Sequence, residues 1–319
     1  MKLMESQEGS GNVPRWENMD KDILSNIFKK LDVVDVVMGT SRVCITWFLA
    51  SHNKTIWSTI KLNDLDSIVL DDPYWPQMQD NDDKEKHRYH LRKILIEINK
   101  FSRTVPTNFF FNVYCNNILE EDLAIISNGM PNIRKLALPI WKRLDLNSIE
   151  LAFSKLKNLQ TLTISPYPWR DDALSPELRA IGDSCRNLTT IKFHCLLDKI
   201  LANIIICNFP SVQRISFRCS YVCIEATMSL IIGHPNLKIF NLSHCIFMEK
   251  PHQYNDAYYI LGMRPEEEIV QIGTQKLDRI LVCSSSDHCT IFQDVWKYIQ
   301  NRMDPPLKAS LRSGGTVET

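Results

Sequence analysis

Two features are missing from this sequence, namely a long apolar run and an excess of charge. No apolar stretch approaches the roughly 18 residues that a membrane-spanning helix needs, and the initial segment MKLMESQEGSGN holds no apolar core of a signal peptide. The 37 Lys and Arg residues balance 37 Asp and Glu residues, so no overall field attracts the chain to nucleic acid or to an anionic membrane. We therefore expect a cytoplasmic or nuclear protein without nucleic-acid or membrane partners.

Motifs for catalysis and metal binding are absent as well. The ten cysteines show no repeated pair spacing, which in a reducing compartment indicates buried thiols rather than disulfides. No phosphate loop, GxGxxG motif or nucleophile elbow occurs. Two clusters match no compact zinc motif, one formed by Cys219 and Cys223, the other by Cys283, His288 and Cys289. We predict a protein that is not an enzyme and that holds neither metal nor cofactor.

What the sequence does contain is, first, a short helical module from Arg15 to Ile60. Its apolar residues recur at i, i+1, i+4, i+5 and i+8 and predict one stripe of a helix that begins near Asp20, made by Ile23, Leu24, Ile27, Phe28 and Leu31. Two further helices are predicted, one begun by Asp32 or Asp35 and carrying Val36, Val37 and Val43, the other carrying Cys44, Trp47 and Leu49. A module of about 45 residues is near the lower limit of independent stability, so we expect it to lean on a partner or a neighbouring domain.

Behind this module, one pattern recurs along the chain. The segments PNIRKLAL, KNLQTLTI, RNLTTIKF, PSVQRISF and PNLKIFNL share their apolar positions, and their first apolar residues are Ile133, Leu159, Leu188, Val212 and Leu237, with a sixth copy at Leu277. This spacing is typical of leucine-rich repeats, in which each unit supplies one strand and one helix or turn, and stacking buries the shared apolar seam. The fold class predicted is therefore an α/β repeat, with parallel strands on the concave face of a short solenoid and helices on its convex face.

The segments between these units are less regular. We predict a disordered N-terminus at 1–14, a connecting segment with a polar loop at 61–90, and repeats at 91–283 that include an inserted loop and helix near 244–275. A C-terminal extension at 284–319 is expected to be disordered from about 302, because it has two prolines, two glycines and few apolar side chains there. Asn132, Asn158, Asn187 and Asn236 precede the predicted strands, where asparagine suits a turn.

The opening module resembles an F-box, the motif that docks onto the adaptor Skp1 in cullin-RING ubiquitin ligases. The order and spacing of its landmarks carry this resemblance, and the docking residues it implies are Trp16, Met19, Ile23, Leu24, Ile27, Phe28, Leu31, Val43, Cys44 and Trp47. Where the family opens its helix with Leu-Pro, this chain has Met19 and Asp20. Methionine keeps an apolar anchor of similar volume, whereas the loss of proline removes preorganisation at the first turn.

Alternation along the repeat strands places two groups of side chains where a target could bind. If alternate apolar residues point into the stack, Lys192, His194, Arg214 and Arg218 lie on the outer face of two adjacent strands. This basic group suits a carboxylate-rich or phosphorylated segment, and the alternative is a solvated surface whose charges pair with nearby acids. A second group, Trp141, Tyr167 and Trp169, follows two strands and could serve as interface anchors or close the end of the repeat core.

An F-box followed by this repeat type resembles the plant F-box/leucine-rich-repeat proteins. The resemblance implies the substrate-recognition subunit of a Skp1-cullin-F-box ubiquitin ligase, with Skp1 and, through it, cullin as partners and the repeats binding a protein target that the sequence does not identify. In this interpretation the chain is a non-catalytic adaptor. The alternative is a repeat scaffold or ligand sensor with a degenerate F-box that binds Skp1 weakly or not at all, because Met19 and Asp20 replace Leu-Pro.

Overall fold

The computed structural model describes residues 16–62, 81–111, 118–138, 144–164, 175–249, 259–262, 265 and 267–283. The segments predicted as disordered termini, the polar stretch 63–80 and residues 250–258 of the predicted insertion lie outside these ranges. Within the described residues, no helix is both long enough and apolar enough to cross a membrane.

The opening module folds into short helices, close to the prediction. After a 3-10 turn at Trp16–Asn18 come α1 (Lys21–Phe28), α2 (Val33–Met38), a second 3-10 turn at Thr40–Arg42, α3 (Ile45–Ser51) and α4 (Lys54–Trp57). The carboxylate of Asp20 accepts a hydrogen bond from the backbone N–H of Asp22 at 2.7 Å and caps α1. That confirms the predicted start of the first helix.

The second helix is shorter than predicted and does not contain Val43. It ends at Met38, because Gly39 has the lowest helix propensity after proline and leaves the helical conformation. The chain also passes close to the preceding turn here, since a Cβ atom on residue 39 would lie 2.8 Å from the carbonyl oxygen of Asp35. Val43 follows the 3-10 turn and precedes α3, and Cys44 occupies the N-cap position of that helix.

The module and the repeats share one core. Strand β1 (Thr59–Lys61) leaves α4 and pairs in parallel with β2 (Asn108–Phe110), while α5 (Asn81–Ser102) packs against both regions. The stripe predicted for α5 is buried, as the exposures of Leu91, Ile94, Leu95, Ile98 and Phe101 show. The helix begins at Asn81, ten residues before Leu91, so the predicted connecting loop is too long at its C-terminal end.

Every repeated segment forms a strand of one parallel sheet. The strands are β3 (Lys135–Ala137), β4 (Thr161–Ile164), β5 (Thr190–Phe193), β6 (Arg214–Ser216), β8 (Ile239–Asn241) and β11 (Arg279–Leu281), which follow β1 and β2 in this order across eight positions. The helices between them are α6 (Glu120–Gly129), α7 (Leu146–Lys155), α8 (Ser175–Ser184), α9 (Lys199–Asn208), α10 (Ile224–Gly233) and α11 (Glu267–Lys276). The architecture is a leucine-rich-repeat solenoid, as predicted.

The asparagines before the strands connect neighbouring repeats. The side-chain amide of Asn132 donates to the carbonyl of Thr104 at 2.9 Å, that of Asn187 donates to Lys157 at 2.9 Å, and that of Asn236 donates to Pro210 at 2.8 Å. Each acceptor lies in the equivalent turn one repeat earlier in the chain. The predicted turn residues therefore also satisfy backbone groups that the parallel strands leave without a partner.

A second, smaller sheet was not predicted. It contains β7 (Tyr221–Cys223), β9 (Ile246–Glu249) and β10 (Tyr259–Gly262), with β9 parallel to β7 and antiparallel to β10. The insertion predicted as a loop and helix thus also contributes two strands, and its helix, α11, occurs where proline and acidic residues indicated one. These three strands lie outside the repeated segments, whose common pattern marked the strands of the large sheet.

Candidate functional site

Exposed apolar side chains are concentrated in the opening module. Of the thirteen large hydrophobic residues that the described structure leaves exposed, eight lie between residues 16 and 49, and they are Trp16, Ile23, Ile27, Leu31, Val43, Ile45, Phe48 and Leu49. The other five are spread over four helices of the repeats, on α5, α7, α9 and α10. Single exposed apolar residues are common on protein surfaces, whereas such a concentration is typical of an interaction surface.

Two packed helices carry most of these side chains. Ile23, Ile27 and Leu31 follow at intervals of four residues and form one stripe along α1 and the turn after it. The stripe is 53% exposed at Ile23 and 41% at Ile27. α1 packs against α3, because the hydroxyl of Ser25 donates to the carbonyl of Ala50 at 3.1 Å. The exposed residues therefore lie on a rigid two-helix unit.

The structure corrects the predicted docking set at two positions. Leu24 and Phe28 have only 1% of their surface exposed and belong to the module's own core. They lie one position after Ile23 and Ile27, and this rotation of about 100° along the helix turns them inward. Phe28 lies 5.5 Å from the ring of Trp47, measured between ring centroids. These two side chains therefore pack inside the module, where Phe28 helps to hold α1 against α3.

The remaining predicted residues fall into two groups. Trp16, Ile23, Ile27, Leu31 and Val43 are exposed, while Met19, Cys44 and Trp47 are half-buried. The indole N–H of Trp47 donates to the backbone carbonyl of Trp16 at 3.1 Å, which fixes the entry of the chain into the module.

Two exposed residues of α3 were missed in the sequence-based set. Ile45 is 76% exposed, and Leu49 follows it one turn later on the same helix. The composition of α3 could have indicated them, because this helix of seven residues has more large apolar residues than one face can bury. Phe48, also exposed in part, faces the repeats instead, since its ring centroid lies 5.9 Å from that of Phe101.

The predicted basic group is assembled by the sheet. β5 and β6 are adjacent, with Thr190 beside Arg214 and Lys192 beside Ser216. Lys192, Arg214 and Arg218 are exposed, and His194 is half-buried at the carboxyl end of β5. The register therefore agrees with the predicted outward face, although Ala137, in the same row as Lys192, has only 5% of its surface exposed.

The two imidazoles at the carboxyl edge of the sheet have lowered pKa values. Burial lowers the pKa of His194, and the positive charges of Lys192 and Arg218 lower it further. Burial and the charge of Arg218 likewise lower the pKa of His244, which lies in the turn after β8. Nδ1 of His244 is 3.1 Å from the sulfur of Cys283. This edge thus has a positive local potential in a chain whose overall charge is balanced.

Comparison with curated proteins gives the family. A protein of Arabidopsis thaliana named as an F-box protein is 35% identical over 326 aligned positions, which cover 91% of this chain and 92% of the relative. The chain belongs to the plant F-box/leucine-rich-repeat family. An Arabidopsis F-box/LRR-repeat protein is 26% identical and covers 91% of both chains, and another is 21% identical over 74% of this chain and 90% of its own length. No protein-family model matches the chain.

Solved structures give only a distant likeness. The leucine-rich-repeat-containing protein LegL7 from Legionella pneumophila aligns with a TM-score of 0.38 and 10% identity, over 91% of this chain and 80% of its own. A protein from Bacteroides fragilis aligns with a TM-score of 0.39 and 13% identity, over 61% of each chain.

Other candidate groups in the F-box/leucine-rich-repeat chain are less informative. The aromatic residues Trp141, Tyr167 and Trp169, predicted either as interface anchors or as the closing end of the repeat core, lie outside the described residues. Among the residues that are described, no three His, Cys, Asp or Glu side chains come together in a way that could hold a metal ion. The eight described cysteines are free thiols, of which Cys185, Cys223 and Cys245 are buried and Cys207 is exposed.

Proposed function

We propose that this chain is the substrate-recognition subunit of an SCF-type ubiquitin ligase, with the F-box docking a Skp1-type adaptor and the repeats binding the protein to be ubiquitinated. The observation that carries the proposal is the concentration of exposed large apolar residues on α1 and α3, in a member of the F-box family. A helix that docks into a partner's groove places apolar side chains there at intervals of three or four residues.

In this role the chain performs no chemistry of its own. The F-box and the repeats share one apolar core, which extends from Leu24 to Leu277. A target held by the repeats would therefore keep a fixed position relative to the adaptor, because the described residues of both parts pack into this one core. Rigid tethering raises the effective concentration of the target's lysines near the ubiquitin carrier.

The alternative of a degenerate F-box depends on Met19 and Asp20. Asp20 caps α1 through its carboxylate, and Met19 is half-buried against the core of the module. A cap at this position does what a proline at the first turn does, since both favour the beginning of the helix. These contacts support a competent F-box, and adaptor binding decides between the two functions.

The test is co-purification with a Skp1-type adaptor, using the unmodified chain and the variant Ile23→Asp/Ile27→Asp. Both positions are exposed, so the variant should fold, but the two carboxylates would be buried without partners in the docked complex. We expect the unmodified chain to retain the adaptor, and the variant to co-purify with at least tenfold less adaptor. Leu24 is unsuitable for this test, because it has 1% of its surface exposed and its replacement would disturb the core.

A matched control is available on the repeats. Ile200 on α9 and Ile232 on α10 are exposed to a similar extent, at 46% and 54%. The variant Ile200→Asp/Ile232→Asp should therefore retain the adaptor as well as the unmodified chain does. Failure of the unmodified chain to bind any Skp1-type adaptor would refute the receptor function and favour the scaffold. Equal losses in both double variants would show that the effect is not local to the F-box.

A further inference from the structure

The strands of the large sheet carry basic residues and no acidic ones. None of the residues in the eight strands of the large sheet is Asp or Glu, whereas five are Lys or Arg, namely Lys61, Lys135, Lys192, Arg214 and Arg279. The helices carry charges of both signs, with acids such as Glu120, Glu121, Glu225, Glu267 and Glu268 and bases such as Lys155, Arg179, Lys199 and Lys276. Because the whole chain has as many acids as bases, the positive sheet reflects placement and not composition.

Strand register puts these cations on one face. Lys135, Thr161, Thr190, Arg214, Ile239 and Arg279 form one row across six strands. Lys61 and Lys192 belong to the next row, two residues further along the strands. All five side chains are exposed, and no salt bridge of the described residues involves any of them.

The spacing of this row fits an extended peptide that crosses the strands. Adjacent strands are about 4.8 Å apart, so Arg214 and Arg279, two strands apart, are separated by about 10 Å, and Lys135 lies about 14 Å from Arg214. An extended chain advances about 3.3 Å per residue. Acidic residues three or four positions apart in such a chain would therefore meet successive cations. A single compact anion would contact only one of them.

We propose that the outer face of the large sheet binds an extended, carboxylate-rich segment of the target protein, which crosses the strands and places its acidic side chains on Lys135, Arg214, Arg279 and the neighbouring Lys192 and Arg218. This inference rests on the proposed receptor function and names the chemistry of the target. Arginine can hold a carboxylate through two parallel hydrogen bonds, which gives the contact geometric specificity as well as charge.

The carboxyl edge of the sheet supports the same chemistry. His194 lies beside Lys192 and Arg218, and His244 lies near Arg218, so four basic groups occupy this edge. Burial and then the positive charges of Lys192 and Arg218 lower the pKa of His194, and burial and then Arg218 lower that of His244. Carboxylates bound nearby would offset the contribution of these charges. Peptide binding should therefore be coupled to proton uptake by His194 and His244, and affinity should increase as the pH falls from 7.5 to 6.

The experiment measures binding of the full chain, purified with its adaptor, to a fluorescent 15-residue peptide with Glu at every third position and Ser and Gly between. Two matched peptides carry Gln at these positions, one of them with a single phosphoserine at its centre. The protein variants are Arg214→Glu/Arg218→Glu and, as the control, Arg179→Glu/Arg186→Glu, which makes the same change of charge on α8 and the turn after it. Fluorescence anisotropy gives the dissociation constants.

We expect the Glu peptide to bind at least tenfold more tightly than the Gln peptide, and the Arg214→Glu/Arg218→Glu variant to lose at least tenfold in affinity. The control variant should remain within twofold of the unmodified protein. Equal affinity for the Glu and Gln peptides, preference for the phosphoserine peptide over the Glu peptide, or equal losses in both variants would overturn the proposal. Adaptor retention is measured in the same preparations. A protein that retains the adaptor but does not bind the Glu peptide would refute only the peptide site, because the F-box helices and the large sheet are separate elements.

Discussion

The indole ring of Trp57 lies 5.9 Å from the phenyl ring of Phe101, measured between centroids, with the two planes 29° apart. Trp57 ends the F-box, and Phe101 belongs to α5, which leads into the repeats. Both side chains are buried, and the indole N–H of Trp57 donates to the carbonyl of Ser51 at 2.7 Å. The small F-box is thus stabilised by the first helix of the solenoid, in agreement with the expectation that it leans on a neighbour.

This contact predicts that the F-box and the repeats unfold together. Phe101→Ala should lower the free energy of unfolding by about 3 kcal/mol, because it removes a buried ring and leaves a cavity between the two parts. Urea unfolding followed by both tryptophan fluorescence and circular dichroism should give one transition. Ile96→Ala, at an exposed position of the same helix, should cost less than about 1 kcal/mol. A separate early transition of the F-box would contradict the shared core.

The cap of α1 predicts a specific role for Asp20. Asp20→Ala removes the acceptor for the N–H of Asp22 and should destabilise the helix by about 1 kcal/mol. If docking needs α1 in its folded form, adaptor affinity should fall by up to about fivefold, the factor that corresponds to this free energy. Asp20→Asn keeps the acceptor and should retain both stability and affinity. Equal losses with Ala and Asn would instead indicate a direct contact of the carboxylate with the adaptor.

For the substitution Gly182→Ala, helix packing predicts a loss of stability, whereas helix propensity predicts a gain. Gly182 in α8 lies against the backbone carbonyl of Asn208 in α9, where an added Cβ atom would clash. Without this contact, Gly182→Ala would stabilise the helix by about 1 kcal/mol, but we expect a net loss of stability in urea unfolding. The control is Gly233→Ala, whose Cβ would meet only the Cδ1 atom of Ile206, the movable end of a side chain, at 3.2 Å. Similar effects of the two substitutions would disprove the close approach of α8 and α9.

Buried histidines predict lower stability in mild acid. Burial lowers the pKa of His234, whose Nε2 atom lies 3.1 Å from the carbonyl oxygen of Phe209, and the pKa values of His194 and His244 are lowered as well. In the unfolded chain these histidines titrate near their ordinary pKa of about 6.5. The unfolded chain therefore binds more protons than the folded chain as the pH falls below that value. The free energy of unfolding should thus decrease from pH 7.5 to 5.5.

The measurement is urea unfolding at these two pH values, before most carboxylates begin to titrate. His234→Gln retains a side-chain donor for the carbonyl of Phe209 but removes one titrating group, so it should reduce the dependence on pH. An unchanged dependence in this variant would show that His234 does not contribute. Stability that rises toward pH 5.5 would contradict the lowered pKa values of all three histidines.

Sequence periodicity alone predicted six of the eight strands of the large sheet, namely those formed by the repeated segments. Each repeat gives one short strand at a regular interval, and apolar residues at alternating positions specify which face is buried. This is why Leu162, Ile191 and Ile215 could be placed in the core and Lys192 and Arg214 outside. The start of α1 was also predictable, because a capping carboxylate is a local signal that depends on neighbours in the chain.

Tertiary structure decided the direction in which each apolar residue of the F-box points. A stripe at i, i+1, i+4 and i+5 covers nearly half of a helix, and only packing against α3 shows that Leu24 and Phe28 turn inward while Ile23 and Ile27 remain exposed. The grouping of cations from five strands also depends on register between residues as far apart as Lys61 and Arg279. Such contacts leave no local pattern in the sequence, because they are set by which strands become neighbours when the repeats stack.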